Sequence, residues 1–585
     1  MKYTIIKENR YQDSIVLMLL SNKLSQIEGV NQVSIMMGTP ANKDIFKTSG
    51  METAELDNAN PNDIVIVVDT EDESKVAEVD QQIEDELNGK DDADNATAKN
   101  DVAKNWDKAL ELANNPNLAL ISIPGQYAAM EAENALNHNL NVFMFSDNVA
   151  KEDEVRLKKM AHDKGLLVMG PDCGTGIIHG VPLAFTNTVN EGNIGIVGAS
   201  GTGIQEVTTI IDREGNGVTN AIGTGGRDLS TEVGAITMLD SIKALNQDPK
   251  VKVITVISKP PAKEVEDRVL NLLRNIDKPV VTLFLGEKPT YTEKEIYHAY
   301  TLEETARVSV QLAADEQPNF KPAINTEVKA NFNDGQDGIK GYYSGGTLAS
   351  EAAMLIRDNA GSEEGETPEG YSFKGGNHEV IDLGDDMYTQ GRPHPMIDPS
   401  KRIEMLEQAA DSDSTAVIML DNVIGYGSHE DMANQLAPTI KEILNKAKSQ
   451  QRDLVVLATV VGTVHDHQGY QQQIDTLVDA GAVVCATNDE MVRTALHLIG
   501  KEVAQPSLDV KEFDAEKVDL TVDEKVLNLI NMKPSVINIG LESFTEAIKN
   551  SDAEVVQFNW RPVAGGDEKL MKVLQFLNNF KGETV

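Results

Sequence analysis

The segment Gly391-Arg392-Pro393-His394-Pro395-Met396-Ile397-Asp398 concentrates residue types that move protons and hold anions. Two prolines restrict the backbone on either side of His394. An imidazole held in this way suits general acid/base work or a phosphate contact. Arg392 adds a planar fork matched to phosphate or carboxylate, and the acidic strand end Asp382, Asp385 and Asp386 lies just upstream. His394 and Arg392 are therefore the expected catalytic pair. The alternative is a proline-shaped loop whose histidine faces solvent.

A second kind of element occurs twice. Gly195-Ile-Val-Gly-Ala-Ser-Gly-Thr-Gly203 runs into IQEVTTII, and Gly341-Tyr-Tyr-Ser-Gly-Gly-Thr347 runs into LASEAAMLI. Each reads as apolar strand, glycine turn, amphipathic helix. Glycine permits positive φ and close approach of a ligand, and the free N–H groups that open the helix attract anions. Ser200, Gly201, Thr202 and Gly203 form the first expected phosphate- or substrate-binding loop, with Gly345, Gly346 and Thr347 in the second. A plain tight turn is the other reading of either copy. In GTGGRDLS (223–230), Gly225 and Gly226 precede Arg227, which is suited to a carboxylate or phosphate or else pairs with Asp228. His465-Asp-His467 offers two imidazoles and no third ligand, so no metal site is expected. Cys173 reads as a buried or strand-end thiol.

The elements that must position these residues are also duplicated. GTGGRDLS, VKVITVISKPP (251–261) and KPVVTLFLG (278–286) follow the first turn; IDLGDDMY (381–388), STAVIMLDNVIGYG (414–427) and DLVVLATVVGT (453–463) follow the second. AYTLEETARVSVQLA (299–313) and CATNDEMVRTALHLI (485–499) close the two copies, with Thr301 opposite Thr487. Two α/β units of about 190–315 and 338–500 result, a domain duplication rather than a solenoid. Ahead of them stand an N-terminal α/β region (1–105), including a polar stretch at 71–105, and a βαβ pattern (106–189). A last βαβ piece occupies 520–585, and 315–340 and 357–377 read as linkers or surface loops. Strands alternating with helices throughout predict several parallel sheets of Rossmann or flavodoxin type.

Composition bounds the function. The 585 residues carry a net charge of −41, with 93 acidic and 52 basic side chains. Such a field repels nucleic acid and anionic lipid, leaving small anions held locally by backbone N–H groups or a focused arginine. Two cysteines make no disulfide framework. No apolar run reaches membrane-span length, and the N-terminus lacks the pattern of a signal peptide. Cytoplasm is the expected location.

Residues 118–178, ending in GPDCGTGII, resemble the coenzyme-A-binding domain of the succinyl-CoA synthetase α subunit, and 193–203 through KPVVTLFLG resemble the ligase domain that follows it. Residues 381–427 resemble the matching β-subunit domain. The whole chain, with GRPHPMID, VINIGLESF and NWRPVAGG (559–566), resembles the FdrA family of acyl-CoA-synthetase-like proteins found in purine (allantoin) degradation clusters. The resemblance implies two succinyl-CoA-synthetase-like ligase domains in tandem. It also implies a subunit of oxamate carbamoyltransferase, which phosphorolyses oxalurate to oxamate and carbamoyl phosphate beside companion subunits. Phosphate and carbamoyl phosphate are then substrates, CoA is a candidate ligand, and a homo-oligomer stays open.

Three departures from the synthetases bear on that implication. Their phosphohistidine stands in a Gly-His-Ala-Gly loop, whereas YHAYT (297–301) has neither glycine. Their catalytic Glu is replaced by Ser258-Lys259-Pro260-Pro261, and no ATP-grasp sequence precedes the second unit. An ADP-forming acyl-CoA synthetase and a non-catalytic scaffold are the alternatives.

Overall fold

A computed structural model describes residues 1–8, 10, 12, 14–61, 63–94, 103–361, 367–390 and 392–562. Gly391, part of the acidic connector (95–102), part of the 357–377 loop (362–366) and the end of the C-terminal piece (563–585) lie outside the described residues.

The expected duplication is present as two sheets of one topology. In the first unit, Ile194–Gly198 is the initial strand. Val218–Gly223 lies on one side of it, and Val253–Ser258, Val280–Phe284 and Ile296–His298 follow on the other, all parallel. In the second unit, Gly338–Tyr343 has His378–Asp382 on one side and Thr415–Val423, Val455–Val461 and Val483–Cys485 on the other. Both orders are 2-1-3-4-5, the flavodoxin-like arrangement, in which ligands bind where strand order reverses at the carboxyl ends. The strands are almost wholly buried, which is why they read as near-continuous apolar runs. Each glycine turn follows its unit's initial strand and opens on that carboxyl edge.

Antiparallel strands extend each sheet. Thr175–Ile178 and Val181–Ala184 join the first unit, so its sheet begins before residue 190. Phe373–Gly375, within the expected 357–377 loop, joins the second.

The βαβ pattern of 106–189 and the C-terminal piece form one sheet. Its parallel order is Glu554–Phe558, Ser535–Ile539, Leu118–Ile121, Asn141–Met144, Val168–Met169. Both tryptophans of the chain close this sheet. Trp106 and Trp560 each donate their indole N–H to the buried Glu131, at 2.7 and 2.9 Å.

The N-terminal region corrects the expectation of parallel sheets throughout. Its strands lie in the order Lys2–Lys7, Ile64–Thr70, Val30–Met37, with antiparallel neighbours. The helix Ser14–Ser25 carries the chain from the first strand to a parallel one but leaves a slot between them, which the third strand fills in the opposite sense. Leu17, Leu24, Ile35, Ile66 and Val68 pack one face of this sheet; Phe46, Met51 and Leu56 pack the other. No described helix is long and apolar enough to cross a membrane.

Candidate functional site

The two units face each other across a pseudo-two-fold built from equivalent residues. Thr301 donates its hydroxyl to Asp489 (3.2 Å), and its counterpart Thr487 donates to Glu303 (2.7 Å). The Leu302 N–H donates to Glu351 (2.7 Å) and the Asn488 N–H to Glu206 (3.0 Å). Arg307 and Arg493 each hold the carboxylate one helical turn earlier, both at 2.7 Å. One apolar core runs through the interface, with Ile204 and Val207 packed among Leu348 and Ala352. Glu206, Glu351, Glu303 and Asp489 are all buried in it. Burial pushes the Glu206 carboxyl up to about 7 and raises Glu351 and Asp489 as well, the last also through Glu303.

This pairing brings the two glycine turns together. The Ser200 and Thr347 hydroxyls are 2.6 Å apart, and the Thr347 N–H donates to the Thr202 hydroxyl (3.2 Å). A Cβ on Gly203 would stand 3.0 Å from the Thr347 methyl, so this glycine lets the two helix starts meet.

The turns are nevertheless unequal. In the second, buried Asp421 accepts the N–H groups of Ser344 (2.8 Å) and Gly345 (2.7 Å) and the Ser344 hydroxyl (3.0 Å). Its cradle is filled by the protein's own carboxylate. Strand register places Ile257 at the equivalent point of the first unit, where an apolar side chain leaves the turn open. There the Ser200 hydroxyl caps the helix by accepting the Gly203 N–H (3.2 Å), and the first-turn amides of Gly201 and Thr202 have no intrahelical acceptor. Asp421 had one signal in the sequence: a carboxylate inside the apolar run TAVIMLDNV must find partners if buried.

His394 lies where three parts of the chain meet. Its ring centroid is 6.4 Å from that of Phe185 in the first unit, and Phe185 packs with Phe145, in a loop of the five-stranded sheet, and with Phe544, which opens the helix Phe544–Asn550. The Phe185 carbonyl accepts the hydroxyl of Thr175 (2.7 Å), which stands 3.3 Å from where a Gly201 Cβ would be. The loop thus reaches the first turn through Phe185 and Thr175. The Met396 N–H donates to His394 Nδ1 (3.3 Å). Burial and the charge of Arg402 push the imidazole down to about 4.

Acidic and basic groups ring the same edge. Asp382 ends its strand beside Gly346, and its Oδ1 accepts the Gly384 N–H (2.9 Å). Burial raises it to about 6, against the pull of that N–H and of Lys259. Asp172, open to water but walled by protein, is likewise raised to about 6 by its surroundings and by Asp147, against Arg227. Lys259, in the Ser258-Lys259-Pro260-Pro261 strand end, draws both carboxyls down. Its influence on both was not legible in the sequence.

The remaining expected site residues fall elsewhere. Arg392 is exposed, its backbone N–H bonds Thr389 (3.1 Å), and its charge is felt by Glu404 rather than at the His394 ring. Arg227 pairs with Glu154 (2.9 Å) and donates to the Val149 carbonyl (2.9 Å), not with Asp228. Asp228 takes the buried Lys158 instead, at 2.8 Å. Gly225, at φ +83°, lies against the Pro171 carbonyl, where a Cβ would be 2.3 Å away, and Gly226 lies near Asp172. Close approach therefore serves the adjoining loop. Cys173 is buried and pushed up to about 12, an inert thiol. Asp466 holds Asn187 and Thr188 of the first unit (2.9 and 2.8 Å), whereas His465 and His467 point to Asp212 and Glu430. His298 is buried against the Thr282 hydroxyl (2.7 Å).

Comparison with known proteins puts the CoA binding match on the first unit, not on the 118–178 segment where the sequence resemblance placed it. Residues 342–498 match the family described as CoA-ligase, 189–286 the CoA binding domain, and 1–103 the heavy metal-associated domain of AllF. Succinate–CoA ligase [ADP-forming] α subunits of Staphylococcus epidermidis and Staphylococcus aureus are each 26% identical. The alignments cover 31% of this chain and 60% of those subunits. Among solved structures, an acetyl-coenzyme A synthetase 1 of Ca. Korarchaeum cryptofilum aligns over 66% of this chain and 83% of its own, at 16% identity and TM-score 0.26. ATP citrate lyase of Methanothrix soehngenii aligns over 66% and 82%, at 13% and 0.29. Scores this low leave the fold resting on the strand orders above. The class is a succinyl-CoA-synthetase-like α/β scaffold. Within it, the chain belongs to the family of Escherichia coli (strain K12) YahF, described as uncharacterized, with 41% identity over 499 residues, 83% of this chain and 96% of that one.

The name of the N-terminal match raises the question of a metal. Residues 1–103 contain neither cysteine nor histidine, so the thiolate and imidazole donors of a heavy-metal site are missing and only methionine thioethers remain as soft donors. Among the described residues no group of three or more metal-ligating side chains is placed to hold an ion.

Proposed function

We propose that this chain is the scaffold and proton-transfer subunit of a carbamoyl transfer to phosphate: oxalurate and phosphate give oxamate and carbamoyl phosphate. The observation that carries the reading is the meeting of two ligase-like units with one turn open and one filled, beside His394. A phosphate needs a cradle of N–H donors, which Gly201 and Thr202 offer with the Ser200 hydroxyl. Attack on the carbamoyl carbon needs donors aimed at a developing oxyanion. It also needs one proton moved from phosphate to the departing amide nitrogen. The AllF-type match of the first 103 residues supports the allantoin setting that the FdrA resemblance implies. The missing Gly-His-Ala-Gly loop and the carboxylate lost at Ser258-Lys259-Pro260-Pro261 fit a reaction that uses no phosphohistidine. The test is purification with the companion subunits encoded beside it, then assay of oxalurate plus phosphate for carbamoyl phosphate.

The CoA-ligase and CoA binding matches favour a second reading, an ADP-forming acyl-CoA synthetase with a borrowed nucleotide-binding partner. Tight CoA binding by the purified chain, with acyl-CoA formed on adding nucleotide and acid, would favour it over carbamoyl transfer.

A further inference from the structure

We infer that His394 serves as a fixed, neutral Nε2–H donor, that the neighbouring Asp382 is the group that gains and loses the proton, and that Arg402 is the positioning residue that enforces this division. The inference rests on the carbamoyl-transfer reading for its chemistry but not for its structural test. Sequence alone assigns the proton to His394; the geometry reassigns it.

Three contacts fix the imidazole. The Met396 N–H occupies Nδ1, so the ring hydrogen of the neutral form resides on Nε2. Behind the loop, fully buried Arg402 donates to the Pro395 carbonyl (2.7 Å) and to the Asp421 carbonyl. Its Nη1 also lies 3.5 Å from Asp421 Oδ1. One guanidinium thus ties the His394 loop to the carboxylate that fills the second glycine turn. On the open side, Gly384 has no side chain. A Cβ there would stand 2.6 Å from His394 Nε2 and 3.1 Å from Asp382 Oδ1, so the ring and the carboxyl both pack against this glycine and are neighbours across it.

The charged surroundings agree. Arg402 faces His394 from its helix and disfavours a second positive charge, and Phe185 on the other side offers no counter-charge. Burial raises the Asp382 carboxyl, with Asp385 and Asp421 adding to it, against the Gly384 N–H and Lys259. Asp382 is therefore the group of the pair that titrates near neutrality.

In the proposed reaction a phosphate oxygen bonds to the carbamoyl carbon as the carbon–nitrogen bond of oxalurate breaks. Asp382 takes the phosphate hydroxyl proton and delivers it to the leaving amide nitrogen, ending as it began. His394 Nε2–H donates to the carbonyl oxygen while it carries negative charge.

The test is histidine nitrogen NMR on the full-length resting protein, with the His394 signal assigned by its loss in His394→Gln. The expected signal is an Nε2–H tautomer that stays neutral from pH 5.5 to 8.5. Its shift should show a small step near pH 6 that Asp382→Asn removes. In Arg402→Gln, if folded, His394 should titrate nearer its ordinary value. A wild-type His394 that protonates between pH 6 and 7, or carries its hydrogen on Nδ1, overturns the inference. So does a step that survives Asp382→Asn. A silent carbamoyl phosphate assay beside the expected spectra would overturn the reaction and leave these protonation states standing.

Discussion

At the scale of residues, the site depends on small gaps and committed charges. Gly384 is the sharpest case, because its backbone is ordinary and the His394 ring, with Asp382 beside it, forbids a side chain. Gly384→Ala should fold, cost roughly 1–3 kcal/mol as an overpacking change, and lose activity by displacing the imidazole. Equal activity of Gly384→Ala and wild type in the reconstituted assay would show that the ring's position is unimportant. Sequence reasoning found His394 because prolines advertise a fixed loop. It paired His394 with Arg392, two residues away, whereas the arginine that acts on the ring is Arg402 from the following helix. Reach across a fold is not legible in spacing along a loop.

At the scale of elements, the facing helices impose a pH signature. Glu206 is buried and raised from its ordinary 4.5 to about 7. Such a group favours the fold below its unfolded value, and that contribution is lost as pH rises through 7. Its Oε1 accepts the Asn488 N–H while Oε2 has no partner, so a glutamine can keep the bond without the charge. Glu206→Gln should match wild type near pH 5 and exceed it at pH 8.5, by up to about 3 kcal/mol. Thermal unfolding at the two pH values checks this; a variant that is less stable at pH 8.5 would contradict it. Between the first unit and the five-stranded sheet, Lys158 bonds Glu154, Asp228 and the Thr224 carbonyl with no exposure. Lys158→Met leaves buried Asp228 without its counter-charge, while Glu154 keeps only Arg227, and should destabilise by roughly 3–5 kcal/mol, seen as a lower midpoint in urea. The duplicated turns were legible because strand, glycine and helix are local in sequence. The filling of one turn by Asp421 was not, because the carboxylate arrives from a strand 76 residues away.

At the scale of the whole molecule, long-range pairing decides the organisation. The Ser535–Ile539 strand lies beside Leu118–Ile121, so the C-terminal piece completes an interior sheet rather than forming a unit of its own. Each piece carries an acceptable βαβ pattern, and nothing in either names its partner. A chain ending at residue 520 should lose that sheet's two terminal strands, expose the edge of Leu118–Ile121 and aggregate. A truncated protein that stays monodisperse with an unchanged thermal midpoint would refute the shared sheet. The N-terminal sheet shows the same limit, since alternation of strand and helix does not fix whether a slot is left for an antiparallel strand.

The central claim is that the paired units support carbamoyl transfer to phosphate with His394 at the reacting centre. The most direct measurement is carbamoyl phosphate formed from oxalurate and phosphate by the chain reconstituted with its companion subunits, compared with His394→Ala. Carbamoyl phosphate and oxamate should appear in equal amounts, with turnover lowered roughly 10²–10³-fold in the variant, the cost of losing one oxyanion donor, and folding intact. Absence of carbamoyl phosphate, with acyl-CoA produced instead from acid, CoA and nucleotide, would contradict the account.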